Sequence, residues 1–264
     1  MADHCRDIGK TLATLRIYLT GRVSIENGET LVEERELAGR QGRLAFAFLA
    51  GERHRPIPRE ELVSVVWRDT PPNEIETALN AILSKLRSAL KKAGSTAGVE
   101  VRARTIEIRL PADVWIDLEH AANAVDEAEG SARGSDPKRA WSAAVTAVII
   151  ARRGFLPGEE GPWIEARRTR LRSLLVRALH TLSHITASNG EHALALQYAT
   201  EIIEIEPFQE TGYRYLMQMH AHMGNRGEAL RVFGKCRELF RDELGADPSQ
   251  ETERLFLEIL RAGQ

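Results

Sequence analysis

Two cysteines, Cys5 and Cys236, stand in a chain of 264 residues. That is too few for a disulfide framework, and a pair so far apart in sequence does not make a metal site. A reduced, cytoplasmic protein is the expectation. Long apolar runs are missing as well, so nothing in the sequence is read as spanning a bilayer. The amino terminus reads Met-Ala-Asp-His-Cys-Arg-Asp and lacks the basic and then apolar regions of a secretory signal. Phosphate-binding glycine loops, dinucleotide fingerprints, nucleophile elbows and His-Glu-x-x-His motifs do not occur. The sequence therefore argues for no enzyme, no metal and no cofactor. Charge of one sign is not in excess either: the formal net charge is −2, which alone gives no reason to expect a nucleic-acid partner.

What is present is ordinary globular composition, 43% hydrophobic and 28% charged, at a length that suits two domains of roughly 100–200 residues each. The small net charge hides an asymmetry. Residues 15–110 carry 16 Lys+Arg against 13 Asp+Glu, whereas residues 111–264 carry 18 against 23. The first part is mildly basic and the second acidic.

Residues 1–14 are polar and unpatterned, and a disordered tail is expected there. Leu15, Ile17 and Leu19 then alternate with other residues, as do Val23 and Ile25 beyond Gly21. Asn27-Gly28 is a hairpin signal ahead of strand-like Thr30–Val32. Helical periodicity follows over about 40–50, 59–67 and 73–92. Pro58 suits a first turn, Pro71-Pro72 is a stop, and Asn73 with Glu76 reads as a capping box. Over 99–110 the apolar positions slip from odd (Val99, Val101, Ala103) to even (Ile106, Ile108, Leu110), which requires a turn near Arg102–Thr105. Strands, three helices and a hairpin wing are thus predicted for residues 15–111.

From residue 112 to 264 only helical patterns remain, at about 116–129, 137–153, 162–188, 191–205, 209–223, 226–243 and 249–261. Gly190-Glu-His-Ala-Leu recurs as Gly227-Glu-Ala-Leu, a step close to the period of tetratricopeptide-like helix pairs. The fold class is α+β: a winged helix-turn-helix followed by an all-α helical repeat.

The helix over 73–92 carries the functional reading. Leu79, Ile82, Leu83, Leu86 and Leu90 make one apolar stripe. Thr77, Asn80, Ala81, Ser84 and Lys85 lie off it and are the candidate base-reading residues, small or polar as a major-groove helix requires. Arg87, Lys91 and Lys92, with Arg102 and Arg104 at the wing tip, are the candidate phosphate-binding residues. The bland alternative is a solvated amphipathic helix. A helix-turn-helix followed at once by a wing with a basic tip favours double-stranded DNA as the partner.

These residues resemble a known family, the Streptomyces antibiotic regulatory proteins, over roughly residues 15–262. Arg40-Gln41-Gly42-Arg43-Leu44 is similar to the start of that family's first helix. Arg59 through Trp67 is similar to its second helix, and Ala78 through Leu90 to its recognition helix. Val114-Trp115-Ile116-Asp117-Leu118 looks like its domain junction, with Asp117 as a helix cap, and Arg241-Asp242-Glu243-Leu244-Gly245-Ala246-Asp247-Pro248 like a diagnostic stretch of its activation domain. The family's frequent Gly-Tyr pair is missing from the wing, and Ser84 and Ser88 stand where basic residues are common. The resemblance implies an OmpR-type winged helix joined to a bacterial transcriptional activation domain. It also implies promoter binding, recruitment of RNA polymerase holoenzyme, a homodimer on DNA and a nucleoid-associated location. No ATPase or forkhead-associated domain is seen to follow, so a short, stand-alone member is expected. The rival reading is a protein-interaction scaffold whose winged helix has lost DNA binding.

Other patterns point less far. His180 and His184 have zinc-compatible spacing but no third ligand; His220 and His222 lie on different faces. Cys236 and Trp163 read as core residues. The run Arg167-Arg168-Thr169-Arg170-Leu171-Arg172 reads first as a salt-bridged or solvated face and second as a contact to an acidic partner. Tyr198, Tyr213, Tyr215, Met217 and Met219 read as core or as the lining of a concave groove.

Overall fold

A computed structural model describes residues 14–94 and 96–262; the tail expected over 1–14 lies, through residue 13, outside them. Near the start, the alternating residues Leu15, Ile17 and Leu19 span β1 (Arg16–Tyr18) and its two flanks, followed by β2 (Ser24–Asn27) and β3 (Thr30–Val32). The three pair antiparallel, with Ile17 opposite Ile25 and Ile25 opposite Val32, all fully buried. The hairpin turn lies one residue later than Asn27-Gly28 suggested. Asn27 pairs with Thr30, so Gly28-Glu29 is the loop, and Gly28 sits at φ 58, a conformation that favours glycine. Asn27 instead donates from Nδ2 to the Ala93 carbonyl at 2.8 Å.

A 3-10 turn at Glu34–Glu36 leads into α1 (Gly39–Gly51), whose Leu44–Ala50 run is buried throughout. A Cβ at Gly42 would lie 1.6 Å from the Leu37 carbonyl oxygen, so only glycine lets the chain pass there. Then come β4 (Ile57–Pro58), α2 (Arg59–Trp67), α3 (Ile75–Lys92), β5 (Gly98–Arg102) and β6 (Thr105–Arg109). The last two form the expected wing. Arg102 pairs with Thr105, leaving Ala103-Arg104 as a two-residue tip. The odd-phase apolar pattern holds at buried Val99 and fails at exposed Val101 and Ala103. β4 joins the other side of β6 in the order β4-β6-β5. Helix α3 starts two residues after Asn73, capped by Glu74 without a side-chain bond. The expected Asn73–Glu76 capping box does not form: the N-cap position falls at Glu74, and the Glu76 carboxylate meets Arg59.

Contacts group the chain into two compact units. The first unit takes the chain up to Ala121 together with Ile150–Leu171; the second takes Ala122–Ile149 and the residues from Arg172 on. The boundaries thus fall inside α4 (Asp117–Arg133), α5 (Pro137–Ala151) and α6 (Pro162–Ser188). Within the first unit β7 (Trp115–Ile116) extends the sheet as a parallel neighbour of β1, in the order β3-β2-β1-β7. Asp117, fully buried, accepts from the Leu19, Thr20 and Leu118 amides and from the Thr20 hydroxyl. Its one bond within α4 comes from the next amide, Leu118, and its other bonds tie off the end of β1. Gly21 donates to the Gly154 carbonyl at 2.8 Å, and Thr20 bridges Phe155. Trp163, half-buried, packs edge-on against the buried Phe48 and Phe155 rings and donates to Glu52 at 2.9 Å. Glu159, 2% exposed, accepts from Arg40 and Arg43.

In the second unit α7 (His192–Ile205), α8 (Glu210–His222), α9 (Arg226–Leu244) and α10 (Gln250–Arg261) follow α6, each packing on the next from α7 onward. The two copies of the sequence repeat sit at the starts of α7 and α9, so each opens one helix pair, as in tetratricopeptide-like folds. Met217, Ala229, Phe233 and Ile259 form one core cluster; Tyr213, Cys236 and Phe240 form another. Burial pushes the Cys236 thiol up to about 12, which leaves it an inert core group. Among the described residues no helix is long and apolar enough to cross a membrane.

Candidate nucleic-acid interface

Helix α3 separates its faces as its periodicity requires. Leu79, Ile82, Leu83, Leu86, Ala89 and Leu90 are buried. Thr77, Asn80, Ala81, Ser84 and Lys85 are all exposed, in one strip along the outer side. The strip is smooth at Ala81 and Ser84, and Ser88 folds its hydroxyl back onto the Ser84 carbonyl at 3.1 Å. Lys85 makes no ion pair among the described residues, so its ammonium is available to a ligand.

The cationic candidates divide by what holds them. Lys91 and Arg104 make no ion pair among the described residues. Lys92 pairs with Glu36 of the 3-10 turn, and its hydrogen bond holds the Glu36 carboxyl below the usual carboxylate range. Arg87 donates from Nε to the Val99 carbonyl at 2.9 Å, fastening α3 to the wing. Arg102 faces Glu100 at 3.5 Å, and Glu100 also meets Arg109 at 2.8 Å. The two basic residues in the last turn of α3 lie at the negative end of its dipole, where cations are favoured.

One residue of this region was not singled out from sequence. Arg59 opens α2; its backbone amide donates to the Arg104 carbonyl at 3.0 Å, and its guanidinium meets Glu76 and the Asn80 side-chain oxygen. Its partners lie 17, 21 and 45 positions away in sequence, beyond the reach of periodicity.

The remaining candidates take other places. Arg167 is held by Glu52 and the Gly51 carbonyl, and Arg168 by Glu165 and the carbonyls of Phe155, Leu156 and Glu159. For these two the salt-bridged face describes the arginine run. His180 lies against the Tyr215 ring, and burial lowers its pKa. Among the described residues no group of three or more His, Cys, Asp or Glu is placed to hold a metal ion. Tyr213, Met217 and Met219 are buried, while Tyr215 and Met219 line an open cavity of about 400 Å³ with His184, His192, Gln218 and His222.

Comparison with known proteins agrees with this architecture. The chain is 28% identical over 252 residues to the regulatory protein AfsR of Streptomyces coelicolor, covering 94% of this chain and 24% of AfsR. It is 25% identical over 263 residues to the transcriptional regulator RedD of the same organism, covering 98% and 74%. The chain therefore spans about a quarter of the length of AfsR and three quarters of RedD. Mycobacterium tuberculosis EmbR, solved in complex with a low-affinity phosphopeptide, superposes with a TM-score of 0.82 at 19% identity, over 95% of this chain and 66% of EmbR. That likeness concerns the fold: a winged helix followed by helical repeats. Residues 116–260, more than half of the chain, match the family described as the bacterial transcriptional activator domain, and the protein belongs to that family.

Proposed function

We propose that this chain is a sequence-specific DNA-binding transcription regulator that binds promoter DNA through α3 and the wing and activates by recruiting RNA polymerase holoenzyme. The observation that supports it best is the exposed strip Thr77-Asn80-Ala81-Ser84-Lys85, backed by a buried apolar stripe and followed directly by a wing with Arg104 at its tip. Small residues allow close approach to a major groove, and an amide and an ammonium supply polar contacts to base edges. Lys91 and Arg104, without an ion pair among the described residues, are the first candidates for phosphates; Arg87, Lys92 and Arg102 must share or exchange their present partners to take that role. In this reading two copies bind adjacent half-sites, and the acidic helical repeats dock protein rather than DNA.

The scaffold reading, with no DNA contact, draws its support from Lys92–Glu36 and Arg102–Glu100, which reduce the unpaired positive charge near α3. Salt separates the two. A DNA reader releases condensed counterions, so its affinity for duplex falls linearly on a log–log plot with a slope of about −0.9 per phosphate contacted. In the full chain, Lys85→Ala is expected to weaken binding to a selected duplex about fivefold or more beyond its effect on random duplex, since a base contact contributes ~1–3 kcal/mol of discrimination. Equal losses on both duplexes would remove Lys85 from the base-reading set. A flat salt dependence in the unaltered protein would favour the scaffold.

A further inference from the structure

Arg59 has no part in the proposal so far, yet it is the junction of the reader. Its side chain is only 16% exposed, although the Glu76 side chain it meets is 70% exposed. From the first position of α2 the guanidinium reaches α3, where Nη2 donates to the Glu76 carboxylate and, at 3.3 Å, to Asn80 Oδ1. The Arg59 backbone amide donates to the Arg104 carbonyl in the wing tip, and the preceding Pro58 pairs with Thr105. One residue therefore touches the start of α2, the outer face of α3 and the turn of the wing.

The chemistry of the Asn80 contact is directional. A guanidinium has only donors, so the carboxamide must turn its oxygen toward Arg59. That leaves both hydrogens of Nδ2 and the second lone pair of Oδ1 for a ligand. A donor and an acceptor side by side match the N7 acceptor and the N6 amino donor of adenine in the major groove. An asparagine free to flip would present either end and order itself only on binding; one already held loses less freedom at that moment. Glu76, one helical turn before Asn80, completes the clamp. Its carboxylate keeps the guanidinium beside α3 and neutralises it, so Arg59 is not offered to a phosphate.

We propose that Arg59 is the positioning residue of the reader: held by Glu76, it fixes the Asn80 carboxamide in the orientation that selects adenine and ties it to the wing tip. This inference rests on the reading of the chain as a DNA-binding regulator with Asn80 at a base edge.

The experiment is selection of the full-length protein on a duplex library with a randomised core, followed by comparison of base preferences position by position. The unaltered protein should prefer adenine at one position, and Asn80→Ala should abolish that preference. Arg59→Ala and Glu76→Gln should each weaken the same preference by roughly fivefold or more, a loss within the range of one bidentate contact, and leave other positions unchanged. The Arg59→Ala/Asn80→Ala double variant should be no worse there than Asn80→Ala alone. Arg59→Lys, which keeps the charge but lacks the fork, should fall between.

If Asn80→Ala erases a preference that Arg59→Ala and Glu76→Gln both preserve, the inference is overturned while the DNA-binding reading stands. A uniform loss on all duplexes, with the salt slope reduced by about one, would make Arg59 a phosphate ligand and overturn it equally. Failure to enrich any duplex, or no change with Asn80→Ala, removes the underlying reading first. Should Arg59→Ala fail to fold, Glu76→Gln at its exposed site decides the matter alone.

Discussion

Glu52 shows how a single side chain of the first unit takes a charge state from its neighbours. Burial alone would raise its pKa, but hydrogen bonds from Trp163, Arg167 and Arg55 outweigh that and hold the carboxyl below its ordinary value. A depressed carboxylate contributes stability that is present above the unfolded value, about 4.5, and is lost as pH falls through the folded value. Asp117 works the other way. Burial raises its pKa more than its hydrogen bonds from Thr20, Leu19 and Leu118 lower it. Its share is therefore present below an ordinary aspartate value and lost as pH rises through the folded one. In urea titrations, the unaltered protein is expected to lose stability between pH 5 and pH 3, and Glu52→Gln to lose less over that interval while starting lower at pH 7. Parallel losses in the two proteins would mean that Glu52 is not a titrating contributor.

At the scale of elements, the wing is where charge and geometry separate. Arg102 faces Glu100, whereas Arg104 sits in the two-residue turn without an ion pair among the described residues. Arg104→Ala alone should flatten the salt slope of duplex binding by about one unit, one released counterion for each lost phosphate contact. Arg102→Ala should change it less, because that guanidinium must first leave Glu100; the reverse order would reassign the contact. The helices, the wing and the α3 faces were legible in sequence because each is set by local periodicity and by Gly or Pro stops. The elements that escaped were those with distant causes. β4 and β7 are two residues each and are strands only through Ile106 and Thr105, or Arg16 and Ile17. Asn73–Glu76 read as a capping box because Arg59, the partner Glu76 meets, is invisible to a local window. Of the candidate site, the exposed strip was readable from one helix; the restraints on Arg87 and Lys92 and the clamp on Asn80 were not, since each needs a partner from another element.

For the whole molecule, the first unit bears on what a truncated reader can be expected to do. The change of sequence pattern at Pro111 invites a fragment ending near residue 112, but that fragment would lack four supports of the first unit. β7 would no longer cover the β1 edge. The Leu19 and Thr20 amides, both on buried residues, would lose Asp117, and a buried donor left unsatisfied costs about 1–3 kcal/mol. Arg40 and Arg43 would lose Glu159, and Phe48 would lose the Trp163 ring packed at 4.9 Å. Trp163 is half-buried, so its loss costs less than the about 3–5 kcal/mol of a fully buried aromatic, but the net stability of a domain is only about 5–15 kcal/mol. These losses together are of the same size as everything that holds such a domain folded. Residues 1–112 are therefore expected to lack a cooperative thermal transition and to bind no duplex, whatever the full chain binds. Lys85→Ala in the intact protein should weaken duplex binding with the transition preserved. Circular dichroism melting and gel shifts on both proteins give the answer. A 1–112 fragment that melts cooperatively near the full-length temperature would show that Ile150–Leu171 rests on the winged helix without supporting it.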